Sequence, residues 1–409
     1  MTLLDELKDK DVWENFLAYQ SEHGRLKVDE RKKLEVFVRE KEYRKITDTM
    51  TFGYPVRREI ARLGSSGKRV VYSYSGEEMS VLKLLVFLLY RYDGILPDSC
   101  YSFRRDKTAQ QAMRDISRIP DLEKKYVLKA DIHNYFNSID PDLMIPILEE
   151  TITDDPELVH FLAGLLRQGR CICRGEIVEE QRGVMAGVPT ANFFANLYLA
   201  DFDRMMEEMG IPYFRYSDDM LFFLSSEEER KMICALLEKT LAERKLTMNP
   251  DKLFMGDPGS SREFLGFRYE AGKIDIAKGA REKMKGKIRR KAGHLWKKRK
   301  QEKWTYERSA RAMIRAFDRK FYDMGGDGSF SWIRFYFPVI TETEGLKEID
   351  ACMQRYLRYL YSGRHYKGNY AVTYEALKKM GYTPLVAEYY NWKEENRLLE
   401  KQNRREKEI

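Results

Sequence analysis

The chain is poor in the residues that would point to an oxidising compartment or a bilayer. Its five cysteines, at positions 100, 171, 173, 234 and 352, form no paired Cys-x-x-Cys framework, and their odd number argues against a secreted disulfide scaffold. Cys171 and Cys173 have a single residue between them and no histidine nearby, a spacing that excludes zinc and reads as strand. No stretch approaches the roughly 18 apolar residues of a membrane span. The longest apolar run, residues 81–90, is interrupted by Lys83 and reads as a core helix. The first residues are charged throughout, with no targeting pattern. A cytoplasmic protein with no membrane partner is expected. Internal repeats and low-complexity tracts are also missing, apart from a charged tail at residues 393–409.

What is present is a large foldable chain with one concentrated charge. At 409 residues and 43% hydrophobic content it can build a sizeable core shared by two or three modules. The net charge is +8, from 73 basic and 65 acidic residues. Residues 278–300 alone carry twelve basic side chains against Glu282, a local +11 that leaves −3 for the rest of the chain. One basic segment on a near-neutral body predicts a polyanion held by one part of the molecule; a solvated face without a partner is the plain alternative. Trp296, Trp304 and Tyr306 interleave this region, able either to stack on bases or to pack a core.

Residues 1–50 read as charged amphipathic helices around Leu34, Val36 and Phe37. A Gly/Ser turn at residues 64–69 followed by an alternating strand at 70–74 reads as a basic hairpin. From residue 126 the pattern runs strand (126–132), helix after Asp140-Pro141, strands near Cys171 and Ile177, helix (190–209), hairpin (211–224), helix (227–244) and a strand pair near Phe264. Such interleaving predicts an α+β fold with helices on a sheet face. After Ala277 the chain reads as mostly helical, with a Gly-Gly-Asp-Gly break at residues 325–328.

Tyr216-Ser217-Asp218-Asp219 lies between the two apolar runs of the predicted hairpin. Ser-Asp-Asp is ordinary turn chemistry, yet two adjacent carboxylates at the end of a buried strand are costly unless a cation neutralises them. Asp131 ends a second apolar strand. If neighbouring strands bring it beside Asp218, the cluster suits two divalent cations about 4 Å apart and in-line phosphoryl transfer. Oxygen ligands alone favour Mg2+, with Mn2+ as a substitute.

Five segments then fall in the order of a known family. Lys129-Ala-Asp-Ile-His-Asn-Tyr-Phe136 resembles polymerase motif A, and residues 183–199, which include Met185-Ala186-Gly187-Val188-Pro189, resemble motif B. Residues 216–219 are similar to the motif C tetrad, 246–252 to motif D and 264–267 to the motif E primer grip. Together, over residues 57–267, they resemble a reverse transcriptase. The resemblance implies a right-hand polymerase: an N-terminal helical extension (1–50), fingers (51–125), an RRM-like palm of antiparallel sheet plus helices with interleaved fingers elements (126–277), and an α-helical thumb and C-terminal region (278–409). It implies Asp131 and Asp218 as metal ligands with Asp219 in support, and Lys252 as the lysine that protonates pyrophosphate. Phe136 would be the steric gate against a ribose 2′-hydroxyl, with Lys68, Arg69, Arg104 and Gly187 around the incoming dNTP. Phe264, Leu265, Gly266 and Phe267 would grip the primer. A core aromatic and a surface lysine are the plain readings of Phe136 and Lys252 from residue type alone. Lys283, Lys287, Arg289, Arg290 and Lys291 are the expected nucleic-acid contacts.

The chain departs from the family at motif B, where Pro-Gln-Gly is replaced by Met185-Ala186-Gly187 and the glutamine is missing. The sequence shows no endonuclease cassette, zinc finger or RNase H module, and neither the Asn-Ala-x-x-His nor the Val-Thr-Gly signature of retron enzymes. Group II intron proteins carry the Pro-Gln-Gly that this chain lacks. By elimination, and by the Ala186-Gly187-Val188-Pro189-Thr190 form of motif B, it most resembles the bacterial stand-alone, defence-associated enzymes. That implies a structured non-coding RNA template, a cDNA product and a role against phage. Template-independent or protein-primed synthesis of the abortive-infection type, and a retron or group II intron-like reverse transcriptase or maturase acting mainly as an RNA-binding protein, are the alternatives.

Overall fold

A computed structural model describes residues 2–22, 26, 28–61, 68–180, 183–322 and 331–407. The predicted turn at residues 64–67 and the break at 325–328 lie outside the described residues. The chain divides into two compact units, Met1–Ser260 and Ser261–Ile409. No helix of the described residues is long and apolar enough to cross a membrane.

In the first unit, apolar residues at helical spacing pull the N-terminal segment into the core. Trp13, on the helix Lys10–Glu22, is fully buried, stacks on Tyr43 at 5.1 Å and donates from Nε1 to Leu7 O at 2.8 Å. The predicted core helix is Gly76–Leu89. Ser75 and Glu78 close it with a reciprocal capping box, it buries Val81, Leu82, Leu84, Leu85, Leu88 and Leu89, and Lys83 points to solvent.

Two sheets follow. The first has the order β2-β1-β4-β5, from β1 (Val56–Ala61), β2 (Lys68–Ser73), β4 (Arg170–Cys173) and β5 (Glu176–Glu179). The Cys171 and Cys173 segment is therefore strand, as expected. The second sheet is wholly antiparallel in the order β6-β7-β3-β8, from β3 (Tyr126–Asp131), β6 (Tyr213–Tyr216), β7 (Asp219–Leu224) and β8 (Phe254–Gly256). All five residues from Met220 to Leu224 are buried. A central strand covered on both faces needs a continuous apolar run rather than an alternating one. The helix Glu227–Glu243 packs against β3 and β7.

Two expectations change. The helix expected over residues 190–209 is two helices, Ala191–Leu197 and Ala200–Glu208, broken at Tyr198-Leu199. The strand pair near Phe264 belongs to a separate three-stranded sheet of the second unit, in the order β11-β10-β9, from β9 (Arg262–Phe264), β10 (Phe267–Glu270) and β11 (Lys273–Ile276). The compact first unit thus ends at Ser260, short of residue 277. The rest of the second unit is helical, led by Lys278–Gln301, Tyr306–Phe321, Glu344–Ser362 and Leu385–Lys407.

Candidate active site

Asp131 and Asp219 are directly opposed in the antiparallel pairing of β3 and β7, so two carboxylates end neighbouring strands at one edge. A two-residue turn, Ser217-Asp218, joins β6 to β7 and is closed by Tyr216 opposite Asp219. Ser217 takes φ 61, in the left-handed region that non-glycine residues rarely visit. The Ile132 N–H donates to Asp218 O at 3.2 Å, which ties this turn to the end of β3. The three acidic residues singled out in the sequence therefore meet at one sheet edge.

Burial pushes the Asp218 carboxyl up from its ordinary range and the Asp131 charge adds to this, while Lys252 and Arg69 oppose it. Burial likewise pushes Asp219 up to about 6 against the pull of Lys129. Asp219 Oδ1 is buried, and among the described residues its one ion-pair partner is Lys129 Nζ, 3.4 Å away. Lys252 Nζ stands 2.5 Å from Asp131 Oδ2, and Asn249 Nδ2 lies 3.4 Å from Oδ1. Among the described residues, no three His, Cys, Asp or Glu side chains converge into a ready-made metal cage. The strand ends supply donor chemistry instead. Carboxylates whose charge is disfavoured by burial, one with a buried oxygen held only by a long contact to Lys129, fit a hard divalent cation that restores their ionised form.

The support of this edge was not read from the sequence. Arg215 and Asp203 are fully buried and joined by Arg215 Nε to Asp203 Oδ1 at 2.8 Å. The same guanidinium reaches Asn196 O at 3.0 Å and Ser217 O at 3.4 Å. Ser102 Oγ donates to Asn196 Oδ1 at 2.8 Å and accepts from Ser217 N–H at 2.9 Å. The available signal was an arginine inside an otherwise apolar strand, which requires a buried acid nearby.

The predicted nucleotide contacts are sorted by their partners. Arg69 is exposed, makes no ion pair among the described residues, and its charge acts on Asp218. Lys68 is exposed and paired with Glu59 at 2.8 Å. Arg104 is turned into its own loop: its side chain is 4% exposed, bonded to Asp106 at 2.8 Å and to Pro97 O at 2.7 Å. Phe136 is half-buried, with Phe103 beside it at 6.3 Å; Phe103 in turn lies 6.2 Å from Tyr216. Gly187 has φ 104, and a Cβ there would stand 2.8 Å from Tyr72 O, so only glycine allows the approach. Beside it Ala186 is 3% exposed and its carbonyl accepts the Tyr72 N–H at 2.8 Å.

Residues 80–269 match the family described as Reverse transcriptase (RNA-dependent DNA polymerase). That segment, a little under half of the chain, is similar to a reverse transcriptase domain. It is 24% identical over 151 residues to the retron Ec83 reverse transcriptase of Escherichia coli, a match that spans 34% of this chain and 46% of that protein. Among solved structures it resembles apo telomerase from Candida tropicalis, with a TM-score of 0.49 and 9% identity over 84% of this chain and 64% of that one. A form of that telomerase truncated from its C-terminal domain gives a TM-score of 0.45 and 13% identity over 55% of each chain.

The reverse transcriptase domain match runs into the second unit, where Leu265 (φ 50) and Gly266 (φ 87) form the tip of the β9–β10 turn. Phe264 and Phe267 point away from that tip into the core of their own unit, Phe267 stacking on Phe335 at 5.2 Å. Of the proposed grip, the tip alone is partly exposed. The helix Lys278–Gln301 buries Met284, Ile288, Ala292 and Leu295. Arg281 and Lys285 on it pair with Glu348. Lys283, Lys287, Arg289, Arg290 and Lys291 make no ion pair among the described residues, and all but the half-buried Lys291 are exposed. Burial, Lys287, Lys291 and Arg290 together push Lys320 down, a sign of crowded positive charge. The interleaved aromatics are committed elsewhere: Trp304 lies between Lys298 and Arg308, at 4.7 and 4.2 Å, and Tyr306 is buried.

Proposed function

We propose that the chain is an RNA-directed DNA polymerase that copies a structured non-coding RNA into cDNA from dNTPs, in bacterial defence against phage. The observation that carries the chemistry is Asp131 opposed to Asp219 beside the Asp218 turn, inside a matched reverse transcriptase domain. Asp131, Asp218 and Asp219 would hold two Mg2+ ions, which when bound activate a 3′-hydroxyl and neutralise departing pyrophosphate. Arg69, without an ion pair among the described residues, would supply a guanidinium for the triphosphate, a group suited to phosphate oxygens. Phe136, backed by Phe103, screens the sugar. Lys252 is poised at Asp131 to release a proton to the leaving group once freed from that carboxylate. The crowded cations of Lys278–Gln301 suit a nucleic-acid backbone. The retron relative supports a structured RNA as template, and the form of motif B supports the defence branch.

Nucleic acid copurifying with the protein tests the reading. Sequencing should yield DNA complementary to one bound RNA, lost in the double variant Asp218→Ala, Asp219→Ala. Homopolymeric or protein-linked DNA would replace templated copying by template-independent or protein-primed synthesis. DNA yield unchanged by the double variant would reject polymerisation by this site.

A further inference from the structure

The second unit holds a cavity of about 760 Å³ that takes no part in the chemistry above. It lies between the helix Glu344–Ser362 and the short turn of helix Lys367–Ala371, and its lining includes Arg355, Arg358, Tyr366, Lys367, Asn369 and Tyr370. Three features give it the chemistry of a ligand site.

The first is an unsatisfied acceptor. Asn369 is 4% exposed, and its Nδ2 donates to Arg364 O at 2.6 Å, which fixes the amide orientation. Its Oδ1 is buried and accepts no hydrogen bond from the described residues. A buried acceptor that the protein leaves unpaired is satisfied by a donor the fold does not supply, a water or a ligand N–H.

The second is exposed aromatic surface. Tyr366 and Tyr370 are 55% and 70% exposed. Both are held in place. The Arg358 guanidinium lies 5.1 Å from the Tyr370 ring and donates from Nε to Val372 O at 3.0 Å. The Tyr366 ring lies so close over Gly368 that a Cβ there would stand 2.3 Å from it. Ordered rings facing water are stacking platforms.

The third is charge. Among the described residues Glu348 is the one acidic side chain that lines the cavity, and it is occupied by Arg281 and Lys285. Arg355 and Lys367 have no carboxylate partner among the described residues. A pocket with stacking rings, one acceptor and surplus cations matches a nucleotide better than a peptide or an apolar molecule.

We propose that this cavity binds an unpaired nucleotide. The base stacks on Tyr366 or Tyr370, an N–H of its Watson–Crick edge donates to Asn369 Oδ1, and Lys367 and Arg355 meet the flanking phosphates. Each base has such a donor, on an exocyclic amine or ring imide, so the site tolerates sequence. A paired base has already used it, so the site selects single strands. The inference extends the polymerase reading to a second contact with the template.

Photo-crosslinking of the full chain tests this, with a short single-stranded RNA carrying 5-iodouridine, the matching deoxy oligonucleotide, and the blunt duplex of the same sequence as competitor. The expected adduct is on Tyr366 or Tyr370, displaced by unlabelled single strand and not by duplex. Capture by the ribose strand alone assigns the site to RNA, and equal capture assigns it to either strand. The double variant Lys367→Ala, Tyr370→Ala, both exposed positions, should lose about tenfold in single-strand capture with an unchanged melting temperature and unchanged extension of an annealed primer. Adducts confined to residues 278–301, equal competition by duplex, or full capture by the double variant would overturn the proposal. Primer extension by the wild-type chain, measured in parallel, separates the two readings. Extension without the adduct rejects this site alone, and the adduct without extension rejects the polymerase alone.

Discussion

Arg215 and Asp203 form an ion pair with no solvent exposure on either side chain, and the arginine also touches the carbonyl of Ser217 in the turn that presents Asp218. Burial pushes the Asp203 carboxyl up and Arg215 pulls it back; the guanidinium cannot lose its proton, so the pair is ionic. Replacing one member strands the other charge. Asp203→Asn or Arg215→Met should each cost about 3–5 kcal/mol in denaturant unfolding. The paired replacement Asp203→Leu with Arg215→Met should cost less than the two added together. Additive losses would show that the two side chains act independently.

The three predicted fingers cations should separate by kinetics. Arg69→Ala is expected to raise the KM for dNTP about tenfold or more, whereas Lys68→Ala, already neutralised by Glu59, should change it less than threefold, the ordinary cost of an exposed pair. Arg104→Ala should lower the melting temperature, because its guanidinium satisfies buried carbonyls. A KM effect from Arg104→Ala equal to that of Arg69→Ala would reverse this assignment.

Lys252→Met should lower kcat by roughly a hundredfold with little change in KM, as expected for loss of a proton donor. A solvent isotope effect on the single-turnover rate is the check. It should be present in the wild type and reduced in the variant if proton transfer accompanies bond formation.

Glutamine at position 186 would meet packed structure. Ala186 is 3% exposed, so Ala186→Gln is expected to overpack the motif B loop at a cost of about 1–3 kcal/mol. Fidelity measured by sequencing the products should not improve. A stable variant with tighter nucleotide binding would show that the family contact can be restored.

Salt dependence should report the basic helix. Replacing Lys287 and Lys291 together with glutamine should make the slope of log affinity against log salt shallower by roughly two, about 0.9 for each lost phosphate contact. Altering Arg281 and Lys285 in the same way should change it less, since Glu348 already holds both.

Much of this was legible in the sequence because chemistry and periodicity coincide there. The apolar runs ending in Asp131 and Asp219 gave the strands, and the short polar tetrad gave their turn. The antiparallel α+β architecture followed from the same pattern. Three things were not legible. The partner of Arg215 lies twelve residues away on another element, and only packing pairs them. The burial of Arg104 depends on carbonyls of a loop that carries no periodic signal. The division at Ser260 reflects which sheet β9 joins, and strand pairing between distant segments leaves no local mark.

The close approach of Gly187 to Tyr72 has a mechanical meaning. Tyr72 on β2 bonds to the carbonyl of Ala186, and two residues earlier Val184 N–H bonds to Phe136 O at 2.8 Å. Strand β2, the glycine loop and Phe136 are thus one linkage, joined main chain to main chain. On the roles proposed above, Arg69 on β2 and Phe136 would then not act independently: a change in the position of one strand would be felt at the ring through two backbone hydrogen bonds. Because both couplings are peptide groups, replacing a side chain leaves them in place.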